Sequence, residues 1–530
     1  MKTNKTKKEI QKYKKCLHLI KKTDSNLLKI LSNKNLIFIF FIVLVFVLKF
    51  NTINLPLYWD SINIQWVVHQ FLESNLQLKV IPEGMHPPLL SYIFAVFSKI
   101  FSFNIIMFHS IIFIISAFGL YYMYLISYKI FKDKTIAFCS SLTLFFLPLY
   151  FSFSGRVYYP IPLTTLTIIC FYYLLKNRYF LFSFFCTMGI LVKETFILII
   201  PAAFIWVLLN KKFNKIKNII YFVLPLIILT IWEILLIINY SNSVFLAFKG
   251  RSLITFEINK DLIISWLSYL YITLIDNFNF ILTVPIMIYL LFKKNIVKKE
   301  NVTFIVFIGS YFFFFIFADK FVRYVLPIYP LLIILFYKSI IFCFKFFKYL
   351  FSFMKPLNET RLNNIPCLLK SKFRILNNCP LNISIKKVVI FITIITIILF
   401  STSYYKESGD THAWVIEKNM EYLDSLKTQK MAIDFIEEDY KNHTVLATWP
   451  INQMADYYPS YPKRKFKVKL FAGDENITNF DVIIQSSQIH SFYGPKLSKF
   501  INKGLFSKDL KLVKRFEIKN KYTEIYENIK

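Results

Sequence analysis

Between Tyr58 and Leu90 the chain reads YWDSINIQWVVHQFLESNLQLKVIPEGMHPPLL, with three acids (Asp60, Glu73, Glu83), two histidines (His69, His86) and a rigid Pro87-Pro88 step. The stretch follows the first membrane-length apolar run and is itself neither long nor apolar enough to cross a bilayer. A carboxylate one helix end away from lipid is costly, which marks Asp60 as a functional group, a base for a hydroxyl nucleophile. Further along, Arg156, Lys193, Glu194, Arg251, Lys320 and Arg323 fall at the same ends of apolar runs as Asp60, Glu83 and His86. A site that mixes a few acids with several cations suits an anionic lipid headgroup and an attacking hydroxyl. The cations neutralise phosphate, and a carboxylate takes the proton.

The elements that must hold these residues are membrane spans. Of the 530 residues, 56% are hydrophobic and 19% aromatic, with 60 Phe and only 10 Gly, which excludes an ordinary soluble chain. Several apolar runs reach the length of about 18 residues that a bilayer crossing needs. The net charge of +33 invites a nucleic-acid reading, but the Lys and Arg sit in short clusters between apolar runs, as cytoplasmic loops do, and no recognition motif accompanies them. The seven cysteines (Cys16, Cys139, Cys170, Cys186, Cys343, Cys367, Cys379) show no close pairing, so neither a disulfide framework nor a cysteine metal site is implied.

The charge pattern orients the spans. Residues 1–34 hold eleven Lys against Glu9 and Asp24 and belong in the cytoplasm. The run Leu36–Val47 has no small-residue cleavage site after it and reads as an uncleaved first span, which puts the Asp60 loop outside. The segment after Pro87-Pro88 is too short for a span and reads as an interfacial amphipathic helix. This keeps the basic segment Tyr128–Lys134 inside. Spans then follow at about 105–127, 135–152, 158–175, a hairpin over 179–210 with Lys193-Glu194 at its outer turn, 218–240, 277–292, 301–317, 325–343 and 388–401, with residues 263–275 as a second interfacial helix. The predicted fold is an all-α polytopic membrane domain of about eleven spans over 35–401, preceded by the basic 1–34. A small extracytoplasmic α/β domain follows over 402–530. In it Glu417–Tyr440 has helical periodicity, and TVLA, DVIIQ, LVKRFEI and YTEIYE read as strands.

Each candidate residue also has a purely structural reading. Asp60 can cap an interfacial helix, and His86 can hydrogen-bond the Pro87-Pro88 turn. Lys193 can snorkel to the interface with Glu194 as its ion-pair partner. Arg323 and Tyr324 can anchor a helix end, and Arg156 can do the same.

The order of these features resembles the C-type membrane glycosyltransferases, which include the protein O-mannosyltransferases and the lipid A aminoarabinose transferases. The resemblance covers roughly residues 36–345. It rests on Asp60 shortly after span 1, His86-Pro87-Pro88-Leu89, the LVKE turn at Leu191–Glu194, and Arg323-Tyr324-Val325-Leu326-Pro327-Ile328-Tyr329-Pro330. It implies a polyprenyl-phosphate sugar donor and inverting transfer to a hydroxyl on the extracytoplasmic face. Asp60 would be the catalytic base, with His86, Arg156, Lys193, Glu194, Arg323 and Tyr324 at the donor and its phosphate. Two features depart from the family pattern. Asp60 is followed by Ser61 where an acid is common, and no acid follows Arg156. A divalent metal is therefore possible rather than implied, and Glu83 or Glu194 is the candidate second acid.

The leading expectation is thus an inverting glycosyltransferase of the cytoplasmic membrane, with a lipid, glycan or protein acceptor, membrane lipids around it and no nucleic-acid partner. The alternative is a transporter or flippase of lipid-linked sugars, which would need ionisable groups near the midplane. Glu233 is the candidate for that role.

Overall fold

Asn33 caps the first helix, α1 (Lys34–Lys49), where its side chain accepts hydrogen bonds from the amides of Asn35 at 3.0 Å and Leu36 at 3.4 Å. The structure is a computed structural model. It describes residues 33–57, 61–77, 86–210, 219–240, 260–276, 280–317, 321–354, 384–404, 420, 422–448, 451–452, 454, 466–470, 480–487 and 510–529. Asp60 and Glu83 lie outside the described residues, as do Lys249, Arg251, Glu257 and Lys320.

The helices follow the apolar runs. After α2 (Ser61–Glu73) and α3 (Leu89–Phe101) come α4 (Ile105–Phe131), α5 (Lys134–Phe146), α6 (Pro148–Phe153), α7 (Pro160–Leu175), α8 (Tyr179–Val192) and α9 (Ile200–Leu209). Then follow α10 (Ile220–Tyr240), α11 (Lys260–Tyr271), α12 (Phe280–Leu291), α13 (Lys299–Phe317), α14 (Tyr329–Met354) and α15 (Ile385–Ser401). Helix α3 has the amphipathic character expected of an interfacial segment, with Leu90, Phe94 and Ala95 buried while Phe97, Ile100 and Phe101 are exposed. Among the described residues, four stretches are long and apolar enough to cross a membrane unaided: Lys34–Thr52, Ile105–Phe131, Ile220–Ile238 and Val322–Leu350. Other expected spans are shorter or broken. The third is split at Leu147-Pro148 into α5 and α6, because proline cannot continue the backbone ladder.

Val322–Leu350 is the hub of the bundle, since 83% of its apolar window is buried against 28% for α1. Tyr337 on α14 shares hydroxyl hydrogen bonds of 2.7 Å with Thr143 on α5 and with Thr393 on α15, which ties three helices together. Helices α4 and α7 approach closely at Gly119, where an added Cβ would sit 2.6 Å from Thr165 Oγ1. The basic turns gather at one end of the bundle. Lys386 pairs with Asp133 at 3.4 Å, and Asn177 accepts from Trp206 at 3.2 Å.

At the other end lies a five-stranded sheet of β1 (Thr444–Ala447), β2 (Lys467–Leu470), β3 (Val482–Ser486), β4 (Leu510–Ile518) and β5 (Lys521–Asn528), in the order β2-β1-β3-β5-β4. Strands β2, β1 and β3 are parallel, and β5 runs antiparallel to both β3 and β4. Helix α16 (Tyr422–Asp439) covers the sheet through Thr428 to Thr523 at 3.0 Å and Gln429 to Ser486 at 3.2 Å. The four segments expected as strands each contain one. Strand β2 was not expected.

Contacts among the described residues fasten the sheet domain to the bundle. The Tyr404 hydroxyl donates to Phe146 O at 2.6 Å, and its ring stacks on Phe151 at 4.5 Å. Lys49 Nζ meets Met420 Sδ at 3.7 Å, and the Arg156 guanidinium lies 3.6 Å from the ring centroid of Tyr422.

Candidate active site

Two helix breaks build the site. Helix α8 stops at Lys193, whose backbone is extended (φ −160°, ψ 133°), and a 3₁₀ turn, Glu194–Ile199, restarts the chain toward α9. The turn folds back so tightly that a Cβ on Gly189 would sit 2.3 Å from the Phe196 ring, so only glycine fits there unless that ring moves. The second break is the 3₁₀ segment Val322–Ile328, which ends at the start of α14 and contains Pro327. These irregular turns bury charge that a continuous apolar helix would have to exclude. Lys193 is 4% exposed, Glu194 5% and Arg323 3%.

Both breaks open on one narrow cleft, lined by Tyr158, Tyr159, Lys193, Tyr311, Arg323 and Tyr324 among others. Lys193 Nζ lies 4.4 Å from the Tyr324 ring centroid, and Arg323 Cζ lies 5.2 Å from the same ring. Arg323 also packs at 4.1 Å from the Phe321 ring and 5.5 Å from that of Tyr158. Aromatic faces pack against both cations, as cation–π contact does. Such a cleft can take an anion whose remaining surface is apolar.

The HPPL motif meets this cleft from the side. An ionised Glu194 accepts through Oε2 from the Nδ1–H of His86 at 3.0 Å, and the His86 ring stands edge-on to Tyr159 at 5.5 Å. The second carboxylate oxygen, Glu194 Oε1, is buried with no hydrogen-bond partner among the described residues. A buried acceptor left unmade costs about 1–3 kcal/mol, which a ligand hydroxyl would offset.

Arg156 sits elsewhere. It lines a second, small cavity together with Thr52, Ser61, His109 and Tyr422. Its Nη2 donates to Ser152 Oγ at 2.8 Å, and its guanidinium lies 4.6 Å from the Phe153 ring. Ser61, the first residue of α2, directly follows Asp60 in the chain and lines this cavity.

The fold therefore brings His86, Lys193, Glu194, Arg323 and Tyr324 together and sets Arg156 apart. Asp60 and Glu83 lie outside the described residues, among which no three His, Cys, Asp or Glu residues gather. Tyr158, Tyr159 and Tyr311 were not singled out from sequence. The first two stand two and three residues after Arg156, just before α7, where an unusual YYP run was the available signal. Tyr311 is one of 33 tyrosines and carries no local signal.

A bundle of apolar helices, broken at one end around buried cations and joined there to a small α/β domain, is the architecture of a multi-pass membrane protein. Residues 85–238 match the family model for dolichyl-phosphate-mannose-protein mannosyltransferases. Over most of its length the chain has an ArnT-like fold. It is similar to the crystal structure of ArnT from Cupriavidus metallidurans bound to undecaprenyl phosphate, with a TM-score of 0.57 and 11% identity, over 92% of this chain and 97% of that one. The apo state of the same protein aligns over the same shares with a TM-score of 0.53 and 11% identity. No curated protein matches the chain in sequence.

Proposed function

We propose that this protein is an inverting glycosyltransferase that moves a sugar from a polyprenyl-phosphate carrier to a hydroxyl acceptor on the extracytoplasmic face of the membrane. The observation that carries this reading is the convergence of Lys193 and Arg323 on Tyr324 in one aromatic cleft. In this reading the two cations hold the donor phosphate, and the His86–Glu194 pair fixes the turn that presents Lys193. Asp60 takes the acceptor proton as the acceptor oxygen bonds to the anomeric carbon. The bond from that carbon to the phosphate oxygen breaks, and its electron pair leaves on the polyprenyl phosphate, where the cations stabilise it. A single displacement inverts the anomeric centre and needs no glycosyl-enzyme intermediate. Glu233, the group on which a transport reading would rely, lies in α10 and lines neither cavity.

The direct test uses purified full-length protein, a polyprenyl-phosphate sugar and a membrane extract. We expect release of polyprenyl phosphate coupled to a glycosylated product of inverted configuration. Retention of configuration, or no release with any such donor, would remove the proposal.

The site end and the basic end of the bundle define a second expectation. Reporter fusions at Lys132 and Lys372 are expected to report cytoplasm, and a fusion at Asp474 the outside, because the Lys/Arg clusters at 129–134, 176–178, 211–217, 293–299 and 344–387 obey the positive-inside rule only in that orientation. A cytoplasmic Asp474 would invert the assignment and move the active site to the wrong face.

A further inference from the structure

Several deeply buried tyrosines of the bundle have partners for their hydroxyls. Tyr150 donates to Ser116 O at 3.0 Å, Tyr269 to Phe321 O at 3.4 Å and Tyr329 to Thr273 O at 3.1 Å. Tyr337 shares its hydroxyl with Thr143 and Thr393, both at 2.7 Å. Tyr311 on α13 is buried as deeply, at 2% exposed, but its hydroxyl makes no hydrogen bond among the described residues. A buried tyrosine hydroxyl ordinarily finds a partner, and an exception calls for a reason.

The reason lies in what Tyr311 faces. It lines the cleft together with Lys193, Arg323 and Tyr324. Its ring is held from both sides on its own helix, by Phe307 at 4.9 Å and Phe315 at 6.1 Å between centroids. Phe315 in turn stacks at 5.3 Å on Tyr324, the ring that Lys193 faces at 4.4 Å. A side chain held in this way loses little further rotamer freedom when a ligand meets it. Lys193 and Arg323 come from the two helix breaks. Tyr311 stands six residues before the end of α13 at Phe317, roughly 9 Å back along the helix axis, and so reaches the cleft from the apolar interior of the bundle.

A polyprenyl-phosphate sugar in this cleft has its chain on the membrane side, its sugar toward the outside and its phosphate between them. A hydroxyl on the inner side meets the phosphate before the sugar, and an anionic oxygen is the acceptor that strengthens such a bond most. Resting on the transferase reading above, we propose that the Tyr311 hydroxyl donates a hydrogen bond to the carrier phosphate, as a neutral donor beside the cations Lys193 and Arg323. Tyr311 is then a positioning residue that favours a phosphorylated carrier over the free alcohol.

The test uses full-length protein in lipid nanodiscs, titrated calorimetrically with farnesyl phosphate and with farnesol, and melted without ligand. Tyr311→Phe is expected to weaken farnesyl phosphate binding about tenfold, the loss typical of one hydrogen bond to a charged group, and to leave farnesol binding as it is. The melting midpoint of the free variant is expected to equal or exceed that of the wild type, because the substitution removes a buried hydroxyl that has no partner until the ligand arrives. Equal farnesyl phosphate affinity in wild type and Tyr311→Phe, while Arg323→Gln still loses it, would show that the hydroxyl meets only water and would overturn this inference alone. A lowered midpoint or a variant that does not fold would assign the hydroxyl a structural bond, and an equal loss of farnesol would assign it to the chain; each of these also overturns it. Wild type that binds farnesyl phosphate no better than farnesol would instead remove the transferase reading, and this inference with it.

Discussion

Asp60→Asn is expected to insert, fold and bind donor as the wild type does, yet to transfer sugar at least about two orders of magnitude more slowly. A neutral acceptor hydroxyl is a poor nucleophile, and a positioned base typically contributes about 10²–10⁴-fold. Asparagine keeps the size and much of the hydrogen-bonding capacity of aspartate but cannot take a proton, so the substitution separates chemistry from packing. Ser61, the next residue in the chain, is 3% exposed and lines the cavity that also holds Arg156. Glu83→Gln and Glu194→Gln are expected to be milder, unless one of them supplies the acid missing after Asp60. Single-turnover transfer from a polyprenyl-phosphate sugar, measured alongside donor affinity, separates these cases. Near-wild-type turnover by Asp60→Asn would strip the loop of its catalytic role.

What was legible in the sequence was mostly what charge in an apolar background makes conspicuous. Lys193 and Glu194 interrupt an apolar hairpin, and such a pair is kept only where a helix can break and bury it, as the extended Lys193 backbone does. Arg323 stands out for the same reason. The pairing of His86 with Glu194 spans 108 residues and was not expected, because the sequence reading paired Glu194 with Lys193 and gave His86 to the Pro87-Pro88 turn or the donor. Arg156 shows where one-dimensional reading ends. Its side of the membrane placed it with the other cations, but whether two cations share a cavity depends on the path of the segment Ser154–Tyr159, which periodicity does not specify. The contacts of Met420 and Tyr422 with Lys49 and Arg156 were equally silent, since they join segments about 270 to 370 residues apart that carry no complementary charge. Strand β2 was missed because KVKL is a short edge strand with two lysines and mostly exposed residues, which resembles the loop composition around it.

Arg323→Lys is expected to weaken donor binding about tenfold despite the retained charge, and Arg323→Gln by more, toward the upper end of the roughly 1.5–3 kcal/mol typical of hydrogen bonds to charged groups. The planar guanidinium of Arg323 is set among the rings of Phe321, Tyr324 and Tyr158, at 4.1, 5.2 and 5.5 Å from their centroids. That packing fixes the orientation of its fork, so a phosphate can be met by two parallel N–H donors with little further loss of side-chain entropy. A lysine ammonium is a point charge on a flexible stem and offers neither the plane nor the paired donors. Lys193 already supplies such a point charge from across Tyr324, at 4.4 Å from its centroid, so a second lysine would duplicate that contribution rather than replace the fork. Lys193→Arg is therefore not expected to rescue Arg323→Lys, because the rings that orient the guanidinium surround position 323. Titration of farnesyl phosphate into wild type, each single variant and the double variant measures this directly. Equal affinity in wild type and Arg323→Lys would show that position 323 contributes only charge, and rescue by Lys193→Arg would show that the aromatic setting does not determine which cation grips the phosphate.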